Sequence, residues 1–339
     1  MLEKPSIPNE KIAACLQAGF GLRVESLTFL PVGADLNTAV YRAVAADGTL
    51  DFVKLRRGTF DEMSVTVPKF IHDQGITQVI PPLETLSGSL WAELDPFRVI
   101  LYPYMDGHDG YEVEPSPAQW ADLGRAVKRL HTLDVPADLS KGIRRESWSP
   151  VHRESLRVVM DNLGSYGGSD SLSLKLVEYL KEKRGLILDL IDHAGRLAHS
   201  LQDRSLDYCL CHGDLHAGNL LIHAKGDFYI VDWDDLMLAP REKDLMSVGA
   251  ALFGGWCSPA EEEELFYRGY GPAQIDRTAL TYYRCERIIF DLEVECRQIF
   301  RSEGSEDDRQ QAFRYLQSNF LPGNTIALAR KGDLDWQGG

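Results

Sequence analysis

No stretch of the sequence approaches the roughly 18 consecutive apolar residues needed to cross a bilayer, and the opening MLEKPSIPNEKIAACLQAG has no secretory hydrophobic region. No membrane association is expected, and the expected location is the cytoplasm. Cysteine is sparse. The six, Cys15, Cys209, Cys211, Cys257, Cys285 and Cys296, are scattered over 339 residues, which excludes the disulfide framework of a small secreted domain and fits reduced thiols. Positive charge is also in deficit. Against 51 Asp and Glu stand 36 Lys and Arg, a formal net of −15, so nucleic acid is not an expected partner and a cationic or neutral one is. The deficit is concentrated between His212 and Phe300, where 16 acidic residues face 8 basic ones. There is no repeat of fixed period and no low-complexity tract. The length suggests two lobes, and monomer and homodimer both remain open.

From Arg23 to about Tyr104 the chain reads as short β-rich runs, VESLTFLPVG, AVYRAVAADGTLDFVKL and LWAELDPFRVILYPYM, with Asp47-Gly48 as a hairpin turn. DEMSVTVPKFIHD, residues 61–73, is the best helix candidate between them, although Pro68 and the β-branched residues weaken it. Beyond Tyr104 the pattern turns helical. In SPAQWADLGRAVKRLHTL, Ser116 reads as N-cap, Pro117 as first helical residue and Gln119 as the far side of a capping box, with Trp120, Leu123, Val127 and Leu130 on one face. Further helices are expected over roughly 173–198, 261–270, 279–300 and 307–320. The expected class is α+β: a small β-rich N-terminal lobe over 1–104 and a larger, mainly helical C-terminal lobe over 105–339, joined near YPYMDG.

Chemistry concentrates in CHGDLHAGNLLIHAKGDFYIVDWDD, residues 211–235. YCLC reads as a strand, HGDLHAGN as a loop, and LLIHA and FYIV as a hairpin with Asp232 at its end. Two acids and a carboxamide beside a buried hairpin suit a hard cation such as Mg²⁺, which takes oxygen ligands. Asn219 and Asp232 would hold the metal, and Asp214 would accept the proton of an attacking hydroxyl. Asp and Asn are also ordinary turn formers, but their joint spacing is that of the protein-kinase catalytic loop, His-x-Asp with Asn five positions after the Asp. Cys209, Cys211, His212 and His216 raise zinc as another reading. The second distant ligand pair is missing, and YCLC alternates like a buried strand.

Gly213 stands where protein kinases have Arg, and VDWD stands in place of DFG. In both respects the chain resembles the aminoglycoside phosphotransferase family, and the resemblance extends over most of its length. It implies a bilobal protein-kinase-like fold, ATP or GTP with Mg²⁺ as cofactors, and transfer of a γ-phosphoryl to a small-molecule hydroxyl. It also implies that Lys54, in FVKL, binds the α/β-phosphates with Glu62 as its partner. Gly33, Asn37 and Thr38, in VGADLNTAVY, would approach the triphosphate without a GxGxxG. Backbone groups around Pro103 and Tyr104, in ILYPYMDG, would read the adenine edge. GADLNTAVY, WDDLMLAPREKDLM and YYRCERI are most similar to the spectinomycin 9-phosphotransferase branch, which implies a cationic aminocyclitol or aminoglycoside as acceptor.

Asp234 and Asp235, next to the metal ligand, are candidates to face such a substrate. Glu286 and Glu293, seven residues apart on one helix face, are two more, unless Arg284, Arg287 and Arg297 neutralise the acids of that helix. Rival readings are a kinase of homoserine, choline or a sugar, a bacterial Ser/Thr kinase, and a nucleotide-binding module without catalysis. The intact set Asp214, Asn219 and Asp232 argues against the last.

Overall fold

The computed structural model describes residues 4–32, 37–166, 170–223, 226–301 and 305–332. These fall into two compact units, one of Met1–Pro115, Pro136–Ile143 and Gly218–Leu236, the other of Ser116–Val135, Arg144–Ala217 and Met237–Gly339.

The first unit opens with helix α1 (Asn9–Phe20). Gly21 ends it in the left-handed region at φ 71, where its N–H and that of Leu22 close onto the carbonyls of Gln17 and Leu16. Strands β1 (Val24–Leu30), β2 (Thr38–Ala45), β3 (Leu50–Arg57), β4 (Ala92–Leu94) and β5 (Phe97–Pro103) then form an antiparallel sheet in the order β1-β2-β3-β5-β4. The β2–β3 hairpin turns at Asp47-Gly48 as its sequence predicts, with Thr49 N–H on Asp47 Oδ1 at 2.9 Å and Gly48 at φ 84. The twofold alternation of strands sorts the side chains of this sheet between its two faces. Tyr41, Val53, Leu55, Val99 and Leu101 face α1 and form a core with its Ile12 and Leu16, all nearly or wholly buried. Lys54 and Arg56, between them in sequence, are turned to the opposite face of β3.

Helix α2 (Met63–Asp73) carries Pro68 inside it and buries Val65, Val67, Pro68 and Ile71. The apolar stripe outweighs the hydrogen bond that Pro68 cannot make. A three-stranded sheet, β6 (His108–Asp109), β8 (Leu220–Ile222) and β9 (Phe228–Ile230), has the order β6-β8-β9, and helix α4 (Ala137–Gly142) completes the unit. Ile230 N–H donates to Gln78 O at 2.8 Å, which ties the β8–β9 hairpin to the segment after α2.

The second unit is mainly helical: α3 (Pro117–His131), α5 (Val151–Asp161), α6 (Ser171–Gln202), α7 (Glu242–Leu245), α8 (Pro259–Tyr270), α9 (Arg277–Phe300), α10 (Glu306–Ser318) and α11 (Thr325–Gly332), with β7 (Tyr208–Cys211) and β10 (Met237–Pro240) paired antiparallel. The Ser116–Gln119 capping box starts α3, and Trp120, Leu123, Val127 and Leu130 are its buried face. A second capping box, Ser258 with Glu261, starts α8. The two helices cross in backbone contact. A Cβ on Gly124 would lie 2.1 Å from Phe266 O, and one on Gly269 would lie 1.7 Å from Ala121 O, so only glycine fits at either position. One core joins α5, α6, α9 and α10 through Leu156, Leu176, Leu190, Ile288, Leu292 and Leu316. Each such side chain contributes about 1.5–3 kcal/mol by leaving water. A sheet-bearing N-terminal region and a helical C-terminal part together make the expected α+β class. No described helix is long and apolar enough to cross a membrane.

Candidate active site

In the first unit, the half-buried face of β3 that carries Lys54 and Arg56 meets the turn after β9. Lys54 Nζ lies 3.0 Å from Asp234 Oδ2 and 3.4 Å from Asp232 Oδ1. Arg56 Nη1 lies 3.0 Å from the same Asp234 Oδ2 and donates to Thr38 Oγ1 at 2.9 Å. Burial alone would lower the Lys54 pKa, but the Asp232 and Asp234 carboxylates outweigh it and hold the ammonium above its ordinary value. Tyr102, behind them on β5, is pushed up to about 12 by burial, which the Lys54 charge only partly offsets. Lys54, Arg56, Asp61, Ser64, Tyr102 and Asp234 line one pocket.

The VDWD turn is held from inside. Trp233 is buried and its indole N–H donates to Ile230 O at 3.0 Å. Asp232 takes the left-handed conformation at φ 62, which Asp tolerates better than most residues. Asn219 is buried just before β8, and its carbonyl accepts Val231 N–H at 3.0 Å, so the carboxamide residue and the residue preceding Asp232 are hydrogen-bonded neighbours. Asp235 is exposed.

The other residues expected at the nucleotide are less uniformly placed. Glu62 is exposed at the N-cap of α2, and among the described residues Lys54 pairs with Asp232 and Asp234 instead of with Glu62. The short spacing brings Glu62 only to the start of the helix, not onto a turn within it. Asn37 fastens the strand end, its carbonyl accepting Arg57 N–H at 3.0 Å. Gly33 lies outside the described residues. Pro103 has no N–H, and Tyr104 N–H donates to Leu50 O at 3.1 Å, so the backbone of these two positions is left with its carbonyls as the groups to offer.

In the second unit, Asp214 follows β7 in the HGD loop. Its carboxylate contacts Arg287 of α9 and lies 3.4 Å from His216 Nε2, and its own N–H donates to His212 Nδ1 at 3.2 Å. His212 thus bonds the loop backbone. Burial would raise the Asp214 pKa, but the His216 hydrogen bond, the Arg287 charge and the two histidines hold it well below the usual carboxylate range. Gly213 sits at φ 87, a conformation closed to the Arg of protein kinases without strain.

Asp244, which the sequence reading did not single out, organises this loop. It is fully buried, accepts His212 N–H at 2.9 Å and Gly213 N–H at 2.8 Å, and pairs with His131 Nε2 at 3.0 Å. The other ring nitrogen of His131 bonds Tyr270 Oη at 2.8 Å. His131 also lies beside Cys209 and Cys211, the three ligand atoms falling within 4.8 Å of one another. With both of its ring nitrogens already bonded, it offers no imidazole to a metal there. On α9, Glu286 contacts Arg153, and Glu293 accepts from Ser155 Oγ at 3.1 Å and Arg297 at 3.3 Å. Arg297 is one of the neutralising partners foreseen; Arg153 and Ser155, on α5, are not.

A carboxylate in a glycine-turned HGD loop and a Lys–Asp cluster beside an Asn-bearing hairpin are parts used in phosphoryl transfer. The sequence model of the phosphotransferase enzyme family matches residues 65–281. The chain belongs to this family. Its structure is similar to that of a spectinomycin phosphotransferase, APH(9)-Ia, in complex with ADP and spectinomycin. The TM-score is 0.88 at 31% identity, over 97% of this chain and 99% of that one. It is thus a phosphotransferase with a protein-kinase-like fold. Protein StrN of Streptomyces griseus is 24% identical over 182 residues, which span 52% of this phosphotransferase and only 56% of that relative. An amicoumacin kinase shares the fold at TM-score 0.61 and 17% identity, over 94% of this chain and 95% of that one.

Proposed function

We propose that this phosphotransferase transfers the γ-phosphoryl of ATP to a hydroxyl of a cationic aminocyclitol, with spectinomycin as the first candidate. The observation that carries the reading is the similarity along nearly the whole chain to an enzyme crystallised with ADP and spectinomycin. Adenine nucleotide is favoured over guanine by the same complex and by the AMP-bound form of that enzyme.

Phosphoryl transfer passes through a loose transition state, so positioned charge does most of the work. In this reading Lys54 binds phosphate oxygens. Asn219 and Asp232 offer a carboxamide and a carboxylate oxygen, the hard donors that Mg²⁺ selects over softer ions, and Asp232 is 56% exposed and so open to it. When bound, Mg²⁺ would neutralise charge on the phosphates. Asp214 orients the acceptor hydroxyl and takes its proton. A carboxylate held at so low a pKa is a weak base, which suits late proton transfer and makes orientation its larger contribution.

The net charge of −15 favours capture of a cation. Asp235, exposed and next in sequence to Asp234, is the first of the acids proposed to meet it. Glu286 and Glu293 are already engaged by Arg153 and Ser155 of α5 and are weaker candidates. A coupled ADP-release assay with purified protein, ATP, Mg²⁺ and spectinomycin tests the proposal, and spectinomycin-dependent turnover is expected. ADP release with homoserine, choline or a neutral sugar, and none with spectinomycin, would overturn the acceptor and leave the kinase.

A further inference from the structure

One carboxylate oxygen, Asp234 Oδ2, bridges two cations, each 3.0 Å away: Lys54 Nζ and Arg56 Nη1. The arrangement stems from strand geometry. Residues two apart on β3 share a face and stand about 6.5–7 Å apart along the strand, so two long side chains can converge on one point above it. Arg56 is aimed at that point by Thr38, whose Oγ1 accepts from the same Nη1 at 2.9 Å. The cluster is not sealed. Lys54, Arg56 and Asp234 side chains are 14%, 24% and 30% exposed and line one pocket.

An oxygen that bears negative charge and accepts from an ammonium and a guanidinium together has the chemistry of a phosphate oxygen. A phosphoryl group presents several such oxygens in the spacing the arginine fork matches. We propose that Arg56 is a second phosphate-binding cation of the nucleotide site, and that Asp234 Oδ2 marks the position a phosphate oxygen takes when a nucleoside di- or triphosphate binds. This rests on the kinase reading and adds to it a second cation and an internal competitor. Asp234 then keeps two like charges together until the polyphosphate, with its larger charge, replaces it. Thr38 acts as a positioning residue through Arg56.

The test is calorimetric titration of the full-length protein with ATP, ADP and adenosine in the presence of Mg²⁺. Arg56→Gln is expected to weaken ATP and ADP by about tenfold or more while leaving adenosine within about twofold, because only phosphate contacts are lost. Asp234→Asn is expected to bind ATP at least as tightly as the wild type. Arg56→Lys keeps the charge and serves the same comparison should the Gln variant not fold. It should weaken ATP by a smaller factor, again without affecting adenosine. Unchanged ATP affinity in both Arg56 variants, or equal losses for ATP and adenosine, would overturn the role of Arg56. Weaker ATP binding by Asp234→Asn would overturn the role of Asp234. Failure of the wild type to bind any nucleotide would instead overturn the kinase reading and this inference with it.

Discussion

Asp244 accepts the backbone N–H of Gly213 through Oδ1 at 2.8 Å and that of His212 through Oδ2 at 2.9 Å, so a carboxylate with no solvent exposure holds the two residues leading into Asp214. Asp214 lies on a loop, and loops are ordinarily the mobile part of a domain. Here the loop backbone is bonded to a group fixed in turn by His131, which Tyr270 orients. The chain Tyr270–His131–Asp244 therefore links α8 and α3, through direct hydrogen bonds, to the loop that carries the candidate base.

Asp244→Ala should cost about 3–5 kcal/mol in denaturant unfolding, since it strands His131 and two buried N–H groups. Burial raises the Asp244 pKa, but the His131 hydrogen bond and charge, the His212 charge and the Gly213 N–H lower it further, leaving it below the ordinary value. A depressed carboxylate stabilises the fold in full above its unfolded pKa, near 3.9, and that stability is lost as pH falls through the folded value. Wild type should therefore lose stability at acid pH more steeply than Asp244→Ala. Equal stabilities of the two at neutral pH would sink the assignment.

Glu262 provides a contrast of opposite sign. It is buried at the first turn of α8, and its Oε1 accepts Gly249 N–H at 2.6 Å. Burial pushes its carboxyl up to about 7, the Gly249 bond opposing and the Glu263 charge assisting. Because the folded pKa is raised, the stability it contributes is full below about 4.3 and is lost as pH rises toward 7. Glu262→Gln keeps an acceptor for Gly249 and removes the titration. Relative to wild type the variant should gain up to about 1.4 kcal/mol per pH unit across that window. Parallel stability–pH curves for the two proteins would show that Glu262 does not titrate there.

What the sequence disclosed and what it withheld have physical reasons. The Asp47-Gly48 turn, the Ser116–Gln119 capping box and the one-sided stripe of α3 are local, each decided within about ten residues, and all three form. The α+β class was legible for the same reason. Asp244 was not, because its partners are 31, 32 and 113 residues away and nothing in PREKDLM distinguishes it from a solvated helix acid. The resemblance implies Glu62 as the partner of Lys54, against a short spacing, and Lys54 meets Asp232 and Asp234, 178 and 180 residues later. Arg56 was half legible: alternation alone puts it on the face of Lys54, but its carboxylate partner arrives from a distant hairpin.

The proposed cation-holding pair, Asn219 and Asp232, can be tested through its Mg²⁺ dependence. Asp232 sits at φ 62, so Asp232→Asn is the informative substitution, because Asn also tolerates the left-handed region and only the charge is lost. Asn219→Ala removes a neutral oxygen. Both should raise the Mg²⁺ concentration needed for half-maximal nucleotide binding, and Asp232→Asn should do so by the larger factor, about tenfold or more, since a carboxylate contributes charge to a hard cation. Added Mg²⁺ should restore Asn219→Ala more completely. Identical Mg²⁺ dependence in wild type and both variants would remove these residues from the metal site.

The last prediction concerns the charge that surrounds the candidate base. Arg287 contacts the Asp214 carboxylate and also bonds Asp291 on its own helix at 3.0 Å. Replacing it with Met keeps the apolar stem and removes one of the charges that depress the Asp214 pKa, with His216 and His212 remaining. Asp291, already raised by burial, would lose its opposing cation and shift further toward the neutral acid, so it would add little charge beside Asp214. In the proposed mechanism ionised Asp214 is the active form, and activity falls as pH drops through its pKa. Raising that pKa moves the fall to higher pH. Arg287→Met should therefore displace the acid limb of kcat/KM upward by about one unit or more, with the deficit largest at low pH and smallest near pH 8. Asp214→Ala, measured alongside, should abolish transfer at every pH while largely retaining nucleotide binding. An acid limb unmoved in Arg287→Met, with Asp214→Ala inactive, would mean that Arg287 supports the loop without setting the ionisation of Asp214.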